Sequence, residues 1–227
     1  MLQNYLNTLK TLLSSPREVV DSFLSEEKSK YTHPFLFTAI GVILLVILNT
    51  LLVDFTIVPE PLDIGDDVDA EHLHQMSEWM QISAVLMATQ FLPLMLLLLL
   101  VPMLSLAGLF FLKEKVTGFY NNLILNSYAV GASMISLIIM IPIWNFSGIP
   151  LTDPSVNVTM PAVLYSVIML WIYQNYLMPD SFMDWIRLLS SYLTGFVLFV
   201  FMNNFIAGVV GYVIFVILRI IELAGQA

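Results

Sequence analysis

WMQISAVLMATQFLPLMLLLLLVPMLSLAGLFFL (79–112) runs for 34 residues without an Asp, Glu, Lys or Arg. A helix crossing the hydrocarbon core of a bilayer needs about 20 largely apolar residues, so this stretch is long enough for one. Its central LMLLLLL (94–100) lacks the period of two that marks a strand of an outer-membrane barrel. Backbone amides in lipid must be satisfied within their own segment, which leaves a helix. Pro93 and Pro102 each remove an amide donor and predict kinks in it.

Four more charge-free runs, 31–53, 116–152, 154–179 and 188–218, bring the total to 151 of 227 residues. The chain is 59% hydrophobic and 11% charged, with a net charge of −9, against about 25% charged residues in ordinary globular domains. Too few charges remain to clothe a soluble surface. That excludes soluble enzymes, nucleic-acid binders and disordered chains. The absence of cysteine excludes disulfide scaffolds, zinc ribbons and thiolate chemistry.

The expected fold is therefore all-α, a polytopic transmembrane helix bundle of five spans near 34–53, 81–103, 122–144, 161–178 and 188–210. An alternative of six spans arises if Asn203 and Asn204, followed by Gly208 and Gly211, form a tight polar turn. With five spans, Lys10, Arg17, Lys28, Lys30, Lys113, Lys115 and Arg187 share one side, which the positive-inside tendency makes cytoplasmic. The opposite loops, 54–80 and 145–160, carry no Lys or Arg and nine acids. Arg219 falls outside with five spans and inside with six.

Residues 1–30 form a separate cytoplasmic segment ahead of the membrane domain 31–227. Leu2, Tyr5, Leu6, Leu9, Leu12 and Leu13 recur at helical spacing opposite Gln3, Asn4, Asn7 and Lys10, an amphipathic helix. Ser15, Pro16 and Glu18 then read as a helix start with a capping box, and Val19, Val20, Phe23 and Leu24 as its apolar face. This helix pair is expected to rest on the bundle or at the headgroups. Residues 179–185 resemble a similar entrance, with Tyr120, Trp185 and Tyr192 as interfacial anchors. Ser127 with Gly131, Ser191 with Gly195, and Ala207 with Gly211 are small residues four apart that permit close helix contact.

The acidic outer loop 54–80 is the outstanding polar feature. Asp66, Asp67, Asp69, His72 and His74 are its weak candidates for a metal site, since carboxylates and imidazoles bind divalent cations. Their spacing matches no specific site, because His72 and His74 lie two apart and face different sides of a helix. A solvated acidic loop leading into a helix near Asp69 is the simpler expectation. No cofactor is implied. The spans hold neutral polar pairs, Asn49–Thr50, Thr89–Gln90, Asn126–Ser127, Gln174–Asn175 and Asn203–Asn204. Interhelical hydrogen bonding is their plainest role, and a hydrated cavity the alternative.

LLSSPREVVDSFLSEE (12–27), KYTHPFLF (30–37) at the first span, the acidic outer loop, and helix pairs joined by KEK (113–115) and PDSFMDWIR (179–187) resemble the Yip-type (Ypt/Rab-interacting) superfamily of small membrane proteins, in its uncharacterised bacterial branches. The resemblance implies a five-helix domain in a bacterial inner (plasma) membrane with a cytoplasmic N-terminus. Eukaryotic members are associated with Rab-like GTPases and vesicle traffic, but no partner-binding residues match here. The expected role is a non-enzymatic scaffold or accessory factor whose partners are the lipid bilayer and other membrane proteins or a second copy, with no nucleic acid. A channel or uncoupled carrier for a small solute or cation, with the acidic loop as outer vestibule, is the alternative.

Overall fold

A computed structural model describes residues 2–25, 30–52, 70–148 and 160–225. Every regular element among them is helical. In chain order these are α1 (Leu2–Ser14), α2 (Pro16–Leu24), α3 (Pro34–Leu52), α4 (Ala70–Ala88), α5 (Leu92–Met95), a π-helical turn (Leu96–Leu100), α6 (Val101–Phe111), α7 (Phe119–Phe146), α8 (Met160–Leu177) and α9 (Phe182–Gly225). Four stretches are long and apolar enough to cross a membrane: Pro34–Leu52, Leu92–Phe111, Phe119–Phe146 and Phe182–Ala224. The expected crossing at 161–178 coincides with α8, which is charge-free over 18 residues but carries Gln174 and Asn175 in its last turn.

The second crossing requires correction from 81–103 to 92–111. The chain breaks at Thr89–Phe91, one turn before Pro93, so that Pro93 falls in the first turn of a new helix where its missing N–H is not needed. The second proline acts differently. Pro102 cannot donate to Leu98, and the preceding turn widens so that the Val101 N–H reaches Leu96. The predicted kink is thus a π-turn inside a continuing helix. The alternative turn at Asn203–Asn204 does not form, because α9 runs through both residues as unbroken helix.

The chain packs as two compact units, Met1–Asp54 with Pro93–Phe199, and Phe55–Leu92 with Val200–Ala227. In the first, α7 is the axis, with α3, α6 and α8 packed around it. Its sequence explains the position. Ala129, Gly131, Ala132 and Ser133 are small enough to let neighbours approach. At Gly131 a Cβ would lie 2.7 Å from the Phe37 ring of α3, and at Gly195 of α9 it would lie 2.8 Å from the Leu104 Cα of α6. Ser191 and Ser127, the partners of these glycines four residues away, are fully buried.

The N-terminal helices lie on this bundle. α1 buries Tyr5, Thr8 and Leu12, while Leu6 and Leu13 of the expected apolar face are exposed. The backbone of Thr32, ahead of Pro34, is held from two sides: its N–H donates to Thr8 Oγ1 at 2.9 Å, and its carbonyl accepts from the Tyr128 hydroxyl at 2.8 Å. Ser15 and Pro16 start α2 as predicted, but the capping box does not close, and Ser15 makes no side-chain cap bond. Glu18 is engaged elsewhere: its Oε1 accepts from Lys30 Nζ and from the Tyr31 hydroxyl, both at 2.6 Å. These hydrogen bonds, Lys30 first, hold its carboxyl below the usual range, and Glu18 raises Lys30 in return.

In the second unit α4 lies against the C-terminal part of α9. A Cβ on Gly211 would fall 2.6 Å from the Met80 Cα, and Ala207 one turn earlier is buried. The third small-residue pair therefore marks a close helix contact as well.

Candidate functional site

Of the residues singled out for metal binding, Asp66, Asp67 and Asp69 lie outside the described residues. α4 begins at Ala70, where the sequence expects a helix. It carries His72 and His74, and the Nε2 of His72 lies 3.1 Å from a terminal nitrogen of Arg219, which also meets Glu222 at 2.8 Å. A guanidinium beside an imidazole is the wrong neighbour for a cation. Among the described residues no three His, Cys, Asp or Glu side chains gather to hold a metal ion.

The neutral polar pairs divide into two kinds. Thr50, Thr89, Asn175 and Asn204 each donate to a carbonyl four residues earlier on their own helix, at 2.6–2.9 Å. Asn126 behaves otherwise. Its amide donates to Ser105 Oγ on α6 at 3.0 Å, and its oxygen accepts from the Tyr173 hydroxyl on α8. Ser105 passes its own proton to the Val101 carbonyl at 2.6 Å. All three side chains are buried, so one closed relay ties α6, α7 and α8 together. One turn away, Asn122 donates to the Gly118 carbonyl at 2.8 Å, while its Oδ1 has no conventional partner. That oxygen sits where a Cβ on Gly108 would stand, so the Gly108 Cα–H faces it.

At one end of the first unit, charges from three segments converge on an open cleft of about 370 Å³ lined by Arg17, Asp21, Lys115, Tyr176, Met178 and Asp180. Arg17 Nε meets Asp21 at 3.2 Å within α2. Lys115, between α6 and α7, reaches Asp180 at 3.4 Å and Asp184 at 3.6 Å. Arg187 joins Glu114 behind it. Asp184 Oδ2 also accepts from the Asp180 N–H at 3.3 Å, and the Asp184 N–H donates to Ser181 Oγ at 3.1 Å. Met178 bends the chain out of α8 with φ of 44°, a left-handed conformation that costs a non-glycine residue about 1–2 kcal/mol. Its N–H still returns to the Gln174 carbonyl at 3.0 Å. Local strain of this kind concentrates at functional sites.

The charge pattern of the sequence gathers Arg17, Lys115 and Arg187 on one side of the bundle but marks no site among them. The pairing partners stand 65 and 73 residues apart in sequence, a separation only the fold closes. The expected anchor Tyr192 also needs correction. It is buried, with its hydroxyl 2.6 Å from Ser166 of α8, whereas Tyr120 stays exposed. Comparison of the chain with protein-family models, curated proteins and solved structures returned no match.

Proposed function

We propose that this chain is a five-span integral membrane protein, N-terminus cytoplasmic in a bacterial inner membrane, that serves as a non-enzymatic scaffold or accessory factor of the Yip type. The observation that carries the reading is the filled axis of the first unit. Charge-free α7 is enclosed by neighbours, and Asn126, its most central polar group, commits both ends of its amide to Ser105 and Tyr173. A pathway for solute requires polar groups turned toward water, and here Asn126, Ser105 and Tyr173 are turned toward each other. The grouping of Arg17, Lys115 and Arg187 at one end supports a cytoplasmic placement of that end. α8 supplies the fifth crossing, with Ser166 and Tyr173 bonded to neighbouring helices and Asn175 to its own turn, while the buried Tyr165 hydroxyl has no hydrogen-bond partner.

Reconstitution into liposomes tests the role: no potassium or small-solute flux above protein-free vesicles is expected, and a saturable flux would replace the scaffold with a carrier. The cysteine-free sequence suits a test of topology. Single cysteines at Lys115 and Ser181 should react with an impermeant maleimide from the cytoplasmic side only, and one at Asp66 from the opposite side only. Labelling of all three from the same side overturns the five-span arrangement.

A further inference from the structure

The cleft beside Met178 has a charge balance that selects its ligand. Its walls carry two cations, Arg17 and Lys115, and two anions, Asp21 and Asp180. A purely anionic ligand would be repelled by the carboxylates as much as it is drawn by the cations, and a simple cation meets the mirror-image conflict. A ligand with both signs a few bonds apart satisfies all four. The existing ion pairs leave room for it. At 3.2 and 3.4 Å they are longer than the 2.7–2.9 Å of a strong charge-assisted bond. Both cations also lean on weak partners offered by one residue: Arg17 Nη1 lies 3.6 Å from the Met178 sulfur, and Lys115 Nζ 3.5 Å from its carbonyl. A phosphate oxygen is a better acceptor than either. Both partners belong to Met178, the residue with the left-handed φ.

Below the cleft, α8 exposes Val163, Val167 and Trp171, spaced by four on one face, and Met178 just past its C-terminus is also exposed. Acyl chains can lie along such a stripe while the polar group occupies the cleft. We propose that this cleft binds a zwitterionic phosphoamine, the headgroup chemistry of phosphatidylethanolamine, with phosphate between Arg17 and Lys115 and ammonium toward Asp21 and Asp180. This inference rests on the membrane placement proposed above and adds a lipid partner to it.

Native mass spectrometry of the full-length protein released from detergent tests the assignment, with dioleoyl phosphatidylethanolamine, dioleoyl phosphatidylglycerol and soluble O-phosphoethanolamine as probes. The wild type should retain the ethanolamine lipid about tenfold better than the glycerol lipid, since the glycerol headgroup has no ammonium to offer the two carboxylates and one charge-assisted hydrogen bond is worth about that factor. The pair R17Q/K115Q should lower ethanolamine-lipid retention about tenfold, and D21N/D180N should shift the preference toward phosphatidylglycerol, which a merely structural role of the carboxylates would not do. Displacement of the lipid by equimolar soluble phosphoethanolamine would uphold the chemistry and assign it to a soluble ligand. Equal retention of the two lipids by folded wild-type protein, a measurement independent of any variant, overturns the inference and leaves the membrane reading standing. Protein that stays soluble without detergent overturns the membrane reading itself.

Discussion

Tyr173→Phe removes one oxygen from a fully buried ring and leaves the packing of that ring intact. The effect falls on Asn126, whose oxygen then has no donor, because its amide nitrogen is already held by Ser105 on another helix. Leaving a buried acceptor unpaired costs about 1–3 kcal/mol, whereas hydrogen bonds between membrane helices average only about 0.6 kcal/mol because alternative partners are usually at hand. Here the relay runs from Tyr173 through Asn126 and Ser105 to the Val101 carbonyl and offers Asn126 no substitute. A cost of about 1.5 kcal/mol is therefore expected. Equilibrium unfolding in mixed detergent micelles, followed by circular dichroism, measures it. Asn126→Leu supplies the second arm of a cycle: with both partners gone, the double variant should be about 1 kcal/mol more stable than the sum of the single-variant effects predicts. Strict additivity, or a Tyr173→Phe cost near zero, would refute the closed relay.

Gly195→Ala forces a Cβ to within 2.8 Å of the Leu104 backbone and should cost about 1–3 kcal/mol, while Gly41→Ala, 3.4 Å from the Met134 Cβ, should be close to neutral; thermal unfolding of the two side by side checks the contrast. Met178→Gly relieves the left-handed strain at φ of 44° and should raise stability by about 0.5 kcal/mol after the added freedom of the unfolded chain is subtracted, read as a higher melting temperature. The Glu18–Lys30 pair predicts a pH profile. Because the Glu18 pKa is lowered on folding, its contribution is present at neutral pH and lost as pH falls through the lowered value; because that of Lys30 is raised, its contribution is lost only as pH rises through the raised one. The gap in melting temperature between wild type and Glu18→Gln should therefore be constant around neutrality and close in acid.

Much of the helical layout was legible because its signals are local. Charge-free runs are set by the solvent each residue tolerates, and α3, α7 and α8 lie within three of them while α9 extends past a fourth at both ends. The small-residue pairs were legible for a related reason. A glycine or serine one turn from another leaves a notch whatever fills it, and Gly131, Gly195 and Gly211 all sit against a neighbouring helix. The course of the second run was not legible. Pro93 and Pro102 carry the same deficit, a missing N–H, yet one starts a helix and the other widens a turn, a choice made by what surrounds each. Glu18 tells the same story at a helix end: its spacing from Ser15 suits a cap, but Lys30 and Tyr31 draw its carboxylate away from the backbone.

Apolar length and the sorting of basic residues thus determined, from sequence alone, that this chain builds helices suited to lipid with charge gathered in a few connecting segments. Which side chains meet was decided by tertiary structure. Arg17 and Lys115 come within reach of a single strained methionine, and Asn126 of both Ser105 and Tyr173, only after helices distant in sequence have packed. The reason is physical: transfer of a segment into lipid depends on its own composition, whereas a hydrogen bond or ion pair depends on the position of a second group that the local sequence does not contain.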